Sequence, residues 1–292
     1  MTYPSLRHYA RVMKHFASAR AVEVLALQAS PILGSILGGF RLERSGLIRL
    51  GLLFLGSLAL TAHVFVFNDW AGRSSDILDP RREILVFGRR DISSGDVARV
   101  ATALLVLAIV VFAAVGRPAV LLGAAIASLS LLYSCSPTFG KSTPIWASIT
   151  HLLGGALHFL LGYTLFRPLD ANGLLISLFF GLVFAGGHLN QEVRDYHGDL
   201  LSGIRTSAVA FGCRRTFLAS LITFTAAYAI LAGLAAFGIL PRLLLLSVVL
   251  WPLHFAWSRR ALQHGLGFET ALWMQRRYRF LFACIGLAML IR

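Results

Sequence analysis

GLIRLGLLFLGSLALTAHVFVFNDW, residues 46–70, runs from Gly46 to Phe67 with Arg49 as its only formal charge, then turns abruptly polar at Asn68 and Asp69. An uninterrupted apolar run of this length spans a hydrocarbon layer about 30 Å thick. The rest of the chain repeats the pattern. Reading apolar runs against proline, glycine and charge predicts spans near 21–40, 46–67, 98–116, 118–136, 144–166, 173–192, 214–238, 240–257 and 277–291. Glu23 and Pro31 interrupt the first, which neighbouring helices can tolerate by re-satisfying the backbone.

The composition agrees. The 292 residues are 57% hydrophobic and 14% charged with a mean hydropathy of +0.73, against roughly 25% charged residues in soluble domains. The net charge of +14 does not imply nucleic acid, because the arginines sit between apolar spans and form no contiguous basic face. Anionic headgroups and anionic substrates are the expected partners. Cys135, Cys213 and Cys284 lie far apart without ligand spacing, so neither a disulfide framework nor a zinc site is expected.

At the N-terminus, Leu6, Tyr9, Met13 and Phe16 recur at helical spacing opposite Arg7, Arg11 and Lys14. This predicts an interfacial amphipathic segment over 1–20 ahead of one transmembrane domain over 21–292. The expected fold is all-α: about nine transmembrane helices in a bundle around a central cavity, as two four-helix halves plus one. Assigning basic residues to connections puts 20 of 27 on one face, which the positive-inside rule makes cytoplasmic together with the N-terminus.

The 13 acidic residues are more unevenly placed. Asp69, Asp76, Asp79, Glu83, Asp91 and Asp96 follow the second span, and Glu192, Asp195 and Asp199 end the sixth, all on that same face. Carboxylates at a membrane boundary are costly unless paired or bound to a cation, so they are functional candidates. Asp91 and Asp96, in the wetter DISSGD stretch, read better as helix caps.

The first cluster reads FVFNDWAGRSSDILDPRREILVFGRRDISSGD (65–96) and the second HLNQEVRDYHGDLLSGIRTSAVAFG (188–212). Together they resemble the two signature loops of the UbiA superfamily of intramembrane prenyltransferases. Asn68, Asp69 and Asp76 match the NDxxDxxxD motif; Asp195 and Asp199 match DxxxD, followed by Gly203 and Thr206. YSCSPTFGK (133–141) resembles the family's Tyr-x-x-x-Pro-x-x-x-Lys loop through Tyr133, Pro137 and Lys141. Gly72 departs from the pattern, standing where the family has the middle Asp of its first motif.

The resemblance implies Mg²⁺-dependent transfer of a prenyl group from a prenyl diphosphate to a lipophilic aromatic acceptor, at the cytoplasmic face of a bacterial inner membrane. It implies Asp69, Asp76, Asp195 and Asp199 as catalytic metal ligands, and Asn68, Arg73, Tyr133, Lys141, Asn190 and Arg194 as substrate contacts. The physics is consistent. A polyanionic head reaches carboxylates only through a hard cation, and Mg²⁺ accepts one or two carboxylates together with phosphate oxygens and water. Asp195 and Asp199, four apart, share a helical face. Asn190 could equally make an interhelical hydrogen bond. His63, His151, His158 and His188 lie within spans, either as neutral groups bonded to helix carbonyls or, for one of them, beside the acceptor. Gly72 keeps open a UbiA-type terpene cyclase or a polyprenyl-phosphate phosphoribosyltransferase; a transporter would place its ionisable groups nearer the midplane.

Overall fold

A computed structural model describes residues 6–76 and 92–291, except the side chains of residues 6–8, 11, 15, 18, 19 and 74–76. Every regular element among them is helical: α1 (Leu6–Leu27), α2 (Ala29–Leu37), α3 (Arg44–Asp76), α4 (Ser94–Val115), α5 (Arg117–Cys135), α6 (Trp146–Tyr163), α7 (Ala171–Leu201), α8 (Ser207–Phe211), α9 (Cys213–Ala236), a 3-10 segment (Arg242–Val249), α10 (Leu250–His264) and α11 (Phe268–Ala288). The acidic candidates Asp79 and Glu83, the expected cap residue Asp91 and the arginines at 81, 82, 89 and 90 lie outside the described residues.

Six helical stretches are long and apolar enough to cross a membrane: Arg20–Leu37, Arg44–Arg73, Ser94–Val115, Arg117–Cys135, Ala171–Leu201 and Cys213–Ala236. The expected count of nine is not reached among the described residues, for three local reasons. In α6, 18 residues long, His151 and His158 dilute the apolar content. The stretch expected at 240–257 is a 3-10 segment leading into the 15-residue α10, which at 1.5 Å per residue reaches only about 22 Å. The last helix begins at Phe268 rather than 277, and Gln275, Arg276, Arg277 and Arg279 cluster about its middle.

The polar groups freed at breaks and ends are re-bonded locally. Gln28 separates α1 from α2, and its Nε2 donates to the Val24 carbonyl at 2.9 Å and to Thr61 Oγ1 at 3.2 Å. Pro31, which has no N–H to offer, falls in the first turn of α2, where that loss is harmless. Ser93 caps α4, its Oγ accepting from the Asp96 amide at 3.1 Å while Asp96 Oδ2 accepts from Ser93 at 3.3 Å. Asp96 is thus a cap residue, as its sequence context predicts.

Helix α7 packs against α6, α8, α9 and α11, and α2 lies along α6. Close approach explains the α2 glycines. A Cβ on Gly34 would collide with the Phe159 carbonyl oxygen, one on Gly38 would stand 2.6 Å from the Tyr163 carbonyl oxygen, and one on Gly162 would collide with Pro31. A core of Phe159, Tyr163, Phe179, Phe180, Tyr228 and Leu231 joins α6, α7 and α9. Tyr9, Val12, Met13 and Phe16 of α1 pack with Val66 of α3 and Val97 and Val100 of α4. The described part of the apolar stripe of α1, at Tyr9, Met13 and Phe16, thus packs partly against protein. Outward-facing Val22, Val110, Ile222 and Phe237 are 61–86% exposed, which is the surface an integral membrane protein presents to lipid.

Candidate active site

The first acidic group lies on the last turns of α3. Asp69 is 2% exposed, and its Oδ1 accepts from Arg20 Nη2 at 3.0 Å. Arg20 also donates to Glu23 Oε2 at 3.1 Å and stacks 5.5 Å above the Phe65 ring. Arg279 of α11 approaches Glu23 at 3.8 Å, so the end of α1 ties the first acidic group to the last helix. Asn68 Oδ1 accepts from Ser134 Oγ at 3.5 Å. Gly72 is buried, Arg73 is half-buried, and Asp76 ends the helix with its side chain outside the described residues.

The second group lies within α7, which continues through the whole motif to Leu201. Asp195 is held by its neighbour: Arg194 Nε and Nη2 donate to its two oxygens at 2.8 Å each, while Nη1 donates to Gln275 Oε1 at 2.8 Å. Asp199, one turn on, is 5% exposed. The helix stops at Gly203 with φ +68°, a left-handed conformation natural to glycine. The Ile204 amide closes back on the Asp199 carbonyl at 2.9 Å, and Thr206 Oγ1 then caps α8 by accepting from Val209 at 3.4 Å. Gly203 and Thr206 shape the turn that places α8 beside the motif. Asn190 is 1% exposed and donates to the Ala271 carbonyl of α11 at 3.2 Å, the interhelical alternative for this residue.

The Tyr133–Lys141 loop lies between the two groups. The Lys141 amide donates to the Tyr133 carbonyl at 2.8 Å, and Ser136 Oγ accepts from the Thr138 and Phe139 amides. Tyr133 Oη lies 3.5 Å from His188 Nε2, and the Tyr133 ring meets His151 edge-on at 5.0 Å. Contacts therefore run from Asn68 on α3 through Ser134 and Tyr133 to His188 on α7. Tyr163 is elsewhere: its hydroxyl donates to Asp170 Oδ1 at 2.9 Å at the opposite end of α7, about 37 Å from Asp195 by helical rise.

Among the described residues, no three His, Cys, Asp or Glu side chains converge as a ready-made metal cluster. Asp195 and Asp199 nevertheless fit Mg²⁺. They form an oxygen-only donor pair on one face of α7, and Mg²⁺ takes its remaining ligands from phosphate and water. Glu192, a functional candidate in the sequence though not among the expected metal ligands or substrate contacts, occupies the same face, 4% exposed; neither of its oxygens makes a well-formed hydrogen bond, although Ser207 and Ala208 of α8 lie against it. Arg20 was not anticipated as a site residue. Its proximity to Asp69 depends on how α1 docks, whereas Glu192 was visible as a carboxylate three residues before Asp195. A cavity of about 750 Å³ lined by His197, His264, Leu266 and Glu269 lies toward the other side of α7, since His197 sits about 200° around the helix from Asp195.

A model of the UbiA prenyltransferase family matches residues 32–285. No curated protein sequence matches the chain significantly. Among solved structures, the fold is similar to that of a UbiA homologue from Archaeoglobus fulgidus bound to GPP and Mg²⁺, at 18% identity and a TM-score of 0.70 over 94% of this chain and 99% of that one. It is similar to the structure reported for digeranylgeranylglyceryl phosphate synthase in membranes, at 16% identity and a TM-score of 0.71 over 96% and 98%. An apo UbiA homologue from Aeropyrum pernix K1 matches at 15% identity and a TM-score of 0.70 over 91% and 97%. At these identities the likeness shows the fold.

Proposed function

This chain belongs to the UbiA prenyltransferase family, and from that premise we propose that it transfers a prenyl group from a prenyl diphosphate to a lipid-soluble aromatic acceptor, with Mg²⁺ as cofactor. What supports this reading is the line of contacts from Asn68, next to Asp69 on α3, through Ser134 and Tyr133 of α5 to His188, on the stripe of α7 that carries Asp195. The A. fulgidus homologue bound to GPP and Mg²⁺ supports the choice of donor and metal.

In this reading Asp195 and Asp199 would hold Mg²⁺ at the face of α7, with Asp69 and Asp76 contributing from α3, and the cation would supply charge neutralisation for the departing diphosphate. Lys141, Arg73, Arg194 and Asn68 contact the phosphate oxygens, and charged donors are the strong ones for such an anion. Tyr133 stands beneath the loop, its ring available to the allylic carbon as positive charge develops there. Asn190 orients α7 through α11. The apolar helices shield the reacting centre from water, and the site faces the cytoplasmic side of a bacterial inner membrane, with residues 21–292 as its transmembrane domain.

The test is incubation of purified protein with radiolabelled geranyl diphosphate, Mg²⁺ and aromatic acceptors. A labelled acceptor adduct is expected. A cyclised hydrocarbon would instead support a terpene cyclase, transfer of phosphoribose would support the phosphoribosyltransferase, and binding without turnover would remove the enzymatic reading.

A further inference from the structure

Two histidines stand apart from the others in the bundle. His63 Nδ1 bonds the Ala101 carbonyl at 2.8 Å, and His158 Nε2 bonds Ser57 Oγ at 2.9 Å; each joins two helices singly. His151 of α6 and His188 of α7 instead stack on one another, with ring centroids 3.7 Å apart and planes inclined by 25°. Tyr133 meets both rings edge-on, at 5.0 and 6.0 Å.

The bonding determines which nitrogen can react. His151 Nδ1 lies 2.8 Å from the Ala147 carbonyl. A carbonyl only accepts, so Nδ1 carries the hydrogen and neutral His151 presents a bare lone pair at Nε2. Among the described residues Nε2 has no hydrogen-bond partner, and His151 is only partly buried. His188, 5% exposed, is held by Ser148 Oγ at 3.4 Å and Glu192 Oε1 at 3.7 Å from its Nδ1.

The position matches the reaction. His188, Glu192, Asp195 and Asp199 follow one stripe of α7 at spacings of four, three and four. His188 therefore shares the face of Asp195 but lies about 10 Å deeper along the helix. His188 thus stands farther into the bundle than the carboxylates.

Resting on the prenyl-transfer reading above, we propose that the His151–His188 pair forms the acceptor end of the site and that His151 Nε2 takes the proton the aromatic acceptor loses. The C1–O bond of the donor breaks and its electron pair leaves with the diphosphate. The acceptor ring supplies the pair for the new C–C bond. The proton on that ring carbon passes to His151 Nε2, the C–H pair restores aromaticity, and the imidazolium later yields its proton to solvent. The stacked face of His188 and the Glu192 carboxylate stabilise the transient cation.

The test compares wild type with His151→Asn, whose amide can keep the bond to the Ala147 carbonyl but has no group at Nε2. Each is given geranyl diphosphate and Mg²⁺, alone and with 4-hydroxybenzoate, 1-naphthol or glycerol 1-phosphate, while diphosphate release, adduct formation and donor affinity are measured. The expected result is a loss of aromatic transfer of about 100-fold or more, with donor affinity within twofold of wild type and acceptor-independent diphosphate release retained. Aromatic transfer within threefold of wild type would overturn the proposal. So would parallel loss of donor binding and transfer, and so would wild-type transfer to glycerol 1-phosphate alone or diphosphate release with no aromatic adduct. Absence of diphosphate release from the wild type would instead sink the prenyl-transfer reading beneath it.

Discussion

Arg20 and Asp69, 49 residues apart, form an ion pair of 3.0 Å in which the carboxylate is nearly inaccessible and the guanidinium about a quarter exposed. Arg20 lies where α1 meets the bundle, so the pair couples the docking of that helix to the first acidic group. Removing the cation from a buried carboxylate is costly, more so than the pair is worth as a net stabiliser. Arg20→Ala should therefore destabilise the detergent-solubilised protein by about 2 kcal/mol. A double-mutant cycle with Asp69→Asn should show a coupling of about 1–2 kcal/mol; additive losses would mean that the pair is incidental.

Asp195→Ala and Asp199→Ala should each lower prenyl transfer about 100-fold or more without changing gel-filtration behaviour, because each would remove a proposed metal ligand without opening a large core cavity. EDTA should abolish wild-type turnover and added Mg²⁺ restore it. Near-normal rates in both variants would remove this face of α7 from the mechanism.

Gly72 is buried on α3 three residues after Asp69, at the position of the middle Asp in the NDxxDxxxD motif that this stretch resembles. Gly72→Asp should lower the Mg²⁺ concentration needed for half-maximal turnover by strengthening the first metal position. A clear loss of activity at saturating Mg²⁺ would mean the pocket is built for a different donor, against which the new charge stands unpaired.

Gly34→Ala and Gly162→Ala should each cost about 2 kcal/mol, because the added methyl groups meet rigid backbone of the facing helix. Gly51, with nothing within 4 Å of a Cβ, supplies the control. Gly51→Ala should leave stability unchanged or raise it by up to about 1 kcal/mol through helix propensity. Thermal unfolding in one detergent separates the two classes.

Asp170 precedes α7 and is held below the ordinary carboxylate value of 3.8, first by the Gly173 amide at 2.8 Å, then by the Tyr163 hydroxyl and Arg167. Because the folded value is depressed, its contribution is complete above about pH 3.8 and lost as the pH falls through the lower folded value. Asp170→Asn should melt below wild type at pH 7, with the gap narrowing below pH 3.8. A gap independent of pH would assign the effect to hydrogen bonding alone.

The all-α membrane class and the shared helical face of Asp195 and Asp199 were legible in sequence because both rest on local spacing. Apolar runs of span length must be solvated by lipid whatever their neighbours, and Asp195 and Asp199 share a face because helices repeat every 3.6 residues. The Ser93–Asp96 cap is equally local. The direction of Asn190, the ion pair of Arg20, the partial cover over the apolar stripe of α1 and the stack of His151 on His188 were not legible. Each depends on how two helices are rotated and offset, which is settled by packing between distant residues such as Gly34 against Phe159 and Gly162 against Pro31. Periodicity says which side chains share a face, and only tertiary contact decides what that face meets.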